Sequence, residues 1–195
     1  DALHVCYCFS PMRYLWDMYP EYLKNSNVLV RLFMVPCFHY LRLWDVASAN
    51  RVDNFLTISH AVQARVKRWW KRDSQILYPP VDLNRLEVNS DDGFASPFCD
   101  EPYYVYLGAL VPYKRADLAI QACRTLGKNL LVIGNGSELK KLKEFSEKKI
   151  KFITNANDKF VKQSLSKAKA LLFPGEEDFG IVVLEAMACH TPVIA

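Results

Sequence analysis

The amino-acid sequence predicts an α/β protein built on doubly wound parallel sheets, and three features carry that prediction. From residue 103 onward, short apolar runs alternate regularly with helical patterns. The runs are apolar almost throughout rather than at every second position, as strands covered on both faces are. Between the two halves, residues 78–102 are rich in Pro, Asp, Asn and Ser and keep no period, which suits a connection between two such sheets.

The elements follow in order. Leu3 to Phe9 opens the chain as a strand buried on both faces. Helical patterns cover 19–34 and 38–50, and Pro36 is expected to separate them, because its ring removes an N–H donor and crowds the preceding turn. Phe55–Ile58 is the second strand; Ser59 is placed to cap a helix through Trp70, and Ile76–Leu77 is a third strand ended by Pro79-Pro80. Then come strand Tyr103–Leu107, helix Ala116–Thr125, strand Leu130–Ile133, helix Glu138–Glu147, strand Lys151–Ile153, helix Lys159–Ser166, strand Ala170–Phe173, helix Ile181–Ala188 and strand Pro192–Ala195. The expected domains are 1–80, a linker at 81–101, and 102–195. The chain opens on Asp1 rather than Met and closes inside a strand-like run, so a fragment lacking both ends is expected.

Composition narrows the function. With 195 residues, 51% hydrophobic and 24% charged, the chain has a core-forming make-up. No apolar stretch approaches the roughly 18 to 20 residues that span a bilayer, and no secretion signal opens the chain, so a cytoplasmic location is expected. Cys6, Cys8, Cys37, Cys99, Cys123 and Cys189 show no paired zinc-type spacing and are expected to be core thiols. Residues 1–100 balance 11 bases with 11 acids, whereas 101–195 carry 14 and 10. So modest an excess suits a small anionic ligand rather than nucleic acid.

In doubly wound sheets, ligands sit where strands end and helix N-termini offer free N–H groups. The loops to inspect are therefore 108–114, 134–138, 154–158 and 174–180. The last carries Gly175-Glu176-Glu177-Asp178-Phe179-Gly180-Ile181 and runs into a helix holding Glu185. Glu177 lies in the loop and Glu185 about one turn inside an otherwise apolar helix, where a carboxylate is costly without a partner. Two carboxylates beside a helix N-terminus can accept hydrogen bonds from sugar or ribose hydroxyls; alternatively, Glu177 caps the helix and Glu185 pairs with a nearby base. After strand Tyr103–Leu107, Gly108-Ala109-Leu110-Val111-Pro112-Tyr113-Lys114-Arg115 places two bases where they can stabilise charge on a departing diphosphate. Gly134-Asn135-Gly136 is a glycine-rich turn into the next helix, a weak signal by itself.

These segments resemble the family 4 glycosyltransferases, which have the GT-B fold of two Rossmann-like domains and transfer sugar with retention. Glu177 and Glu185, with Phe179-Gly180 after the first acid and Ala186-Met187-Ala188 after the second, match that family's two-acid signature. The resemblance implies that Glu177 contacts the donor sugar and Glu185 the nucleotide ribose. It also implies that Asp178, Phe179, Gly180 and Ile181 surround the donor diphosphate. Lys114, beside Arg115, takes the lysine position of the donor-phosphate loop opened by Gly108, and Gly134, Asn135 and Gly136 border the nucleotide.

In the first half, Tyr7-Cys8-Phe9-Ser10-Pro11-Met12-Arg13-Tyr14-Leu15-Trp16-Asp17 and Ile76-Leu77-Tyr78-Pro79-Pro80-Val81-Asp82 are similar to the bacterial O-antigen and exopolysaccharide mannosyltransferase subgroup. That similarity sets Phe9, Ser10 and Arg13 on the acceptor side. It implies a nucleotide-sugar donor such as GDP-mannose, a saccharide or lipid-linked acceptor, and no metal cofactor. The helix Ser59–Arg72 carries Arg65, Lys67, Arg68, Lys71 and Arg72 around Trp69 and Trp70, which suits a peripheral contact with the inner face of the membrane; a surface helix with its tryptophans in the core is the other reading. Phe9 stands where the subgroup usually has His, Ala109 where the family often has Arg, and His190 where Gly is common. Those departures keep a non-catalytic nucleotide-sugar-binding homologue open, and a nucleotide-sugar epimerase on the same fold is a further alternative.

Overall fold

A computed structural model describes residues 2–24, 26–82, 96–99, 101–145 and 148–195. Most of the expected linker, residues 83–95 and 100, and the end of the expected helix at 146–147 lie outside the described residues. The chain divides into two compact units, Asp1–Pro80 and Val81–Ala195.

The first unit is a parallel sheet of β1 (Val5–Cys8), β2 (Asn54–Thr57) and β3 (Gln75–Ile76), in that order. Val5 pairs with Asn54, Cys8 with Thr57, and Thr57 with Ile76. Three helices accompany it, α1 (Tyr19–Lys24), α2 (Val28–Ala49) and α3 (His60–Trp70). The core gathers Cys8, Leu15, Phe55, Ile58, Val62 and Val66. Ser59 caps α3 as expected, its hydroxyl accepting from the Val62 N–H at 3.2 Å.

Pro36 does not separate two helices. It lies inside the single 22-residue α2, and the chain breaks earlier, where Asn27 accepts from the Val30 N–H at 2.9 Å. The proline φ is compatible with a helix, so the ring costs one hydrogen bond and some strain without obliging a stop. The asparagine cap, which satisfies an orphan donor, fixes the true start. Farther along α2, Asp45 is 4% exposed and its Oδ2 accepts from the indole N–H of Trp16 at 2.8 Å and of Trp70 at 2.7 Å. This shared acceptor ties the turn after β1, α2 and α3 together.

The second unit is a five-stranded parallel sheet of β4 (Tyr103–Leu107), β5 (Asn129–Ile133), β6 (Ile150–Ile153), β7 (Leu171–Leu172) and β8 (Val193–Ile194), in the order β6-β5-β4-β7-β8. Tyr103 pairs with Asn129, Leu130 with Ile150, Val105 with Leu171, and Leu171 with Val193. Its helices are α4 (Ala116–Thr125), α5 (Leu139–Lys143), α6 (Asp158–Lys167) and α7 (Ile181–Ala188). Every residue of β5 is buried. Leu131 and Ile133 enter a cluster with Leu165 of α6 and Ala186 of α7, whereas Leu130 and Val132 join Ala116, Ala119 and Ile120 of α4. Helices thus cover both faces, and each fully buried aliphatic side chain contributes about 1.5 to 3 kcal/mol. The expected helix Glu138–Glu147 shortens to α5, in which Leu142 is the buried residue beside three lysines. Little packing holds such a helix, and short helices depend on packing.

All six cysteines are free thiols. Cys8, Cys123 and Cys189 are buried as expected and Cys6 partly so, but Cys37 and Cys99 are exposed. Burial pushes the Cys123 thiol up to about 11. Among the described residues, no helix is long and apolar enough to cross a membrane.

Candidate functional site

A parallel sheet offers ligands a crevice at the carboxyl edge where its strand order reverses. In the second unit the chain moves outward from β4 through β5 to β6, then returns to β7 on the other side of β4. The loops leaving β4 and β7 therefore frame the crevice. They carry Lys114 and Glu177, 63 residues apart in sequence, which form an ion pair from Nζ to Oε1. The two side chains are 21% and 22% exposed, partly withdrawn from water, where a charge pair counts for more than on an open surface.

Backbone packs closely around the ion pair. A Cβ at Gly175 would stand 2.7 Å from the Lys114 carbonyl oxygen and 2.8 Å from its Cα, so any larger residue would force the loops apart. On the other flank, the Leu110 N–H donates to the Asn135 carbonyl at 2.9 Å, and the Glu138 N–H donates to Leu110 at 2.9 Å. Gly108 donates to Ile133 at 3.1 Å, and a Cβ at Gly134 would come within 1.9 Å of the Gly108 oxygen. Asn135 accepts from the Gly136 N–H at 2.8 Å. Gly108, Gly134, Asn135 and Gly136 thus share one laced pair of loops beside Lys114.

At the head of α7, the N-cap is Gly180 in the left-handed region, with φ 79°. Gly180 has no side chain to offer the helix, and Glu177 is given to Lys114 rather than acting as the expected alternative cap. Asp178 and Phe179 are half-buried ahead of the cap, and Ile181 opens the helix with 43% exposure. Glu185 begins the second turn and is half-buried. Burial raises the Cys189 thiol; Lys162 opposes that rise and Glu185 adds to it.

The structure brings Lys114, not Arg115, to Glu177. Arg115 takes a left-handed φ of 53°, and its guanidinium turns to Asp117, with contacts of 3.0 and 3.3 Å from Nε and 3.0 Å from Nη2. That bond holds the Asp117 carboxyl below its usual range. Sequence reasoning gave no role to Tyr106, yet this buried phenol donates to the Ala109 carbonyl at 3.2 Å and so fastens the Lys114 loop to β4. Burial, helped by Tyr113 and Asp117, pushes it up to about 12. The available signal was a tyrosine within a buried strand, whose hydroxyl needs a partner.

In the first unit, Phe9, Ser10 and Arg13 follow β1. Phe9 is 61% exposed and meets Tyr7 edge-on at 5.2 Å. Ser10 accepts from Arg65 at 3.4 Å, and Arg13 lies half-buried in the following turn. In the segment expected as helix Ser59–Arg72, helical over α3, the aromatics turn inward: Trp69 stacks on Trp16 at 4.8 Å, and Trp70 packs on Phe55 and bonds to Asp45. Arg65 pairs with Asp17 at 2.9 Å, and Arg72 donates to the Ala49 and Val52 carbonyls. Lys67, Arg68 and Lys71 remain exposed.

The family model described as "Glycosyl transferases group 1" matches residues 91–195, more than half of the chain. The chain belongs to the group 1 glycosyl transferases. This group 1 chain is 27% identical over 164 residues to the O-antigen chain mannosyltransferase RfbU of Salmonella typhimurium, covering 80% of this chain and 45% of that protein. Among solved structures, sucrose-phosphate synthase of Thermosynechococcus elongatus superposes with a TM-score of 0.73 at 20% identity, over 99% of this chain and 49% of that one. Anabaena Alr3699/HepE in complex with UDP-glucose gives a TM-score of 0.67 at 20% identity, over 78% and 47%. These likenesses show the GT-B fold. The chain spans less than half the length of the curated relatives RfbU and its like, 40% and 45% for the first two.

Proposed function

We propose that the protein is a retaining glycosyltransferase of family 4, moving a hexose from a nucleotide-sugar donor to a saccharide or lipid-linked saccharide acceptor. The observation that carries this reading is the meeting of Lys114 and Glu177 where the strand order reverses, beside the N-terminus of α7. A base and a helix N-terminus suit a diphosphate, and a carboxylate suits sugar hydroxyls. Lys114 neutralises charge on the departing diphosphate, with the α7 N–H groups adding to the field. No metal is required in this scheme, and Arg115 contributes if its Asp117 partner yields. Glu177 orients the sugar and Glu185 holds the ribose.

The acceptor hydroxyl oxygen bonds to the anomeric carbon on the face the diphosphate leaves. The bond from that carbon to the phosphate oxygen breaks with its electron pair, and the hydroxyl proton passes to the departing diphosphate. The name of the RfbU relative favours mannose, and therefore GDP-mannose; UDP-glucose in HepE supports a nucleotide-sugar donor more generally. A peripheral contact with the inner membrane surface is part of the reading.

The test is thermal stabilisation of the full-length protein by GDP, UDP, ADP and GDP-mannose, with Glu185→Ala beside it. A ligand at 100 times its dissociation constant adds about 2.7 kcal/mol. Stabilisation by GDP compounds, lost in the variant, is expected. No shift with any nucleotide would sink the donor-site assignment, and isomerisation of the donor without acceptor would favour an epimerase.

A further inference from the structure

The group expected to hold the donor diphosphate and the group expected to hold the donor sugar are bonded to each other. Lys114 Nζ donates to Glu177 Oε1, and both side chains are about four-fifths withdrawn from solvent. The two loops lie against each other here as well, since a Cβ at Gly175 would stand 2.7 Å from the Lys114 carbonyl oxygen. A diphosphate on Lys114 brings a second anion to the same ammonium, and the carboxylate must then share it or turn away. Turning away costs the carboxylate its hydrogen bond unless another donor replaces it.

We infer that Glu177 is an internal competitor for Lys114 and so sets the preference of the site for nucleotide-sugar over the nucleoside diphosphate product; this rests on the donor-site reading above. With nucleotide-sugar bound, the sugar hydroxyls supply the donors that Glu177 gives up on releasing Lys114. With the diphosphate product bound, those hydroxyls have left with the acceptor. Glu177 then reclaims the ammonium and loosens the product. Transition-state charge is still met by Lys114, because the sugar occupies Glu177 until transfer is complete.

Calorimetric titration of the full-length protein with GDP, UDP and GDP-mannose tests this, using wild type, Glu177→Gln, Glu177→Ala and Lys114→Met. Melting of each ligand-free variant verifies that it is folded. In both Glu177 variants the diphosphate that binds wild type should bind roughly three- to tenfold more tightly, the range for freeing one partly buried ion pair. The sugar nucleotide should gain less or lose affinity, and single-turnover transfer should fall. Lys114→Met should weaken every nucleotide. If Lys114→Met weakens binding but neither folded Glu177 variant tightens the diphosphate, the competition is overturned and the donor site stands. If Lys114→Met leaves all affinities unchanged, or nothing binds, the donor-site reading fails and takes the competition with it.

Discussion

At residue scale, Tyr106 shows how a buried polar atom can serve a loop. Its ring is 3% exposed within β4, and its hydroxyl reaches forward to the Ala109 carbonyl at 3.2 Å. Tyr106→Phe keeps the ring and deletes that bond, so a loss of about 1 kcal/mol is expected by denaturant unfolding. Ala109 is exposed, so water can take over the carbonyl and the loss stays small. A second readout follows from proton linkage. Tyr103 and Tyr106 are both pushed from 10.0 up to about 12, chiefly by burial. A phenol raised on folding keeps its proton in the folded chain while its unfolded counterpart ionises. Its stabilising share is therefore complete below pH 10 and declines as pH rises toward 12. Tyr106→Phe should make the alkaline fall in melting temperature shallower across that window; an unchanged slope would show that Tyr106 is not the group lost.

Elements and their ends follow different physics, as α2 and the second sheet show. Pro36 lies mid-helix on an exposed face, where proline costs up to about 3 kcal/mol relative to alanine. Pro36→Ala should raise the stability of the chain by a measurable fraction of that in urea titration; destabilisation would mean that the ring packs or bends α2 in a required way. Periodicity marked Pro36 as a stop because it registers the missing N–H, but it does not register the compatible φ or the Asn27 cap that decides the start. The second sheet was more legible. Its strands are apolar almost throughout, and β4, α4 and α7 keep the expected bounds of 103–107, 116–125 and 181–188. The loops of the candidate site follow from that alternation, but the partnership inside them does not. Nothing local in Lys114 announces Glu177, 63 residues away, and the Arg115–Asp117 pair that diverts the second base is set by a left-handed backbone.

For the whole molecule, the division at Pro80 redraws the charge map. Split at residue 100, the surplus of positive charge falls in the second half; split at the unit boundary, it moves to the first. Residues 1–80 carry ten bases against six acids, and residues 81–195 carry fifteen of each. The unit holding the surplus also presents the start of α2, where Val28, Leu29, Leu32 and Phe33 are 69 to 78% exposed and no acid occurs between Glu21 and Asp45. If the peripheral contact proposed above exists, this exposed apolar face in an acid-free stretch is a second place for it to form. The inner-surface contact expected of Ser59–Arg72 has its tryptophans half-buried against Trp16 and Phe55, leaving Lys67, Arg68 and Lys71 outward. Sedimentation with vesicles of zwitterionic lipid alone, or with about 30% anionic lipid, weighs the two helices, at about 1 kcal/mol per base near an anionic surface. Leu29→Glu with Phe33→Glu should abolish binding to the anionic vesicles, while reversing Lys67, Arg68 and Lys71 should weaken it and reduce its dependence on anionic lipid. Binding that survives the α2 pair and falls with the three reversals would return the contact to α3; binding indifferent to both would remove the membrane from the account of this chain.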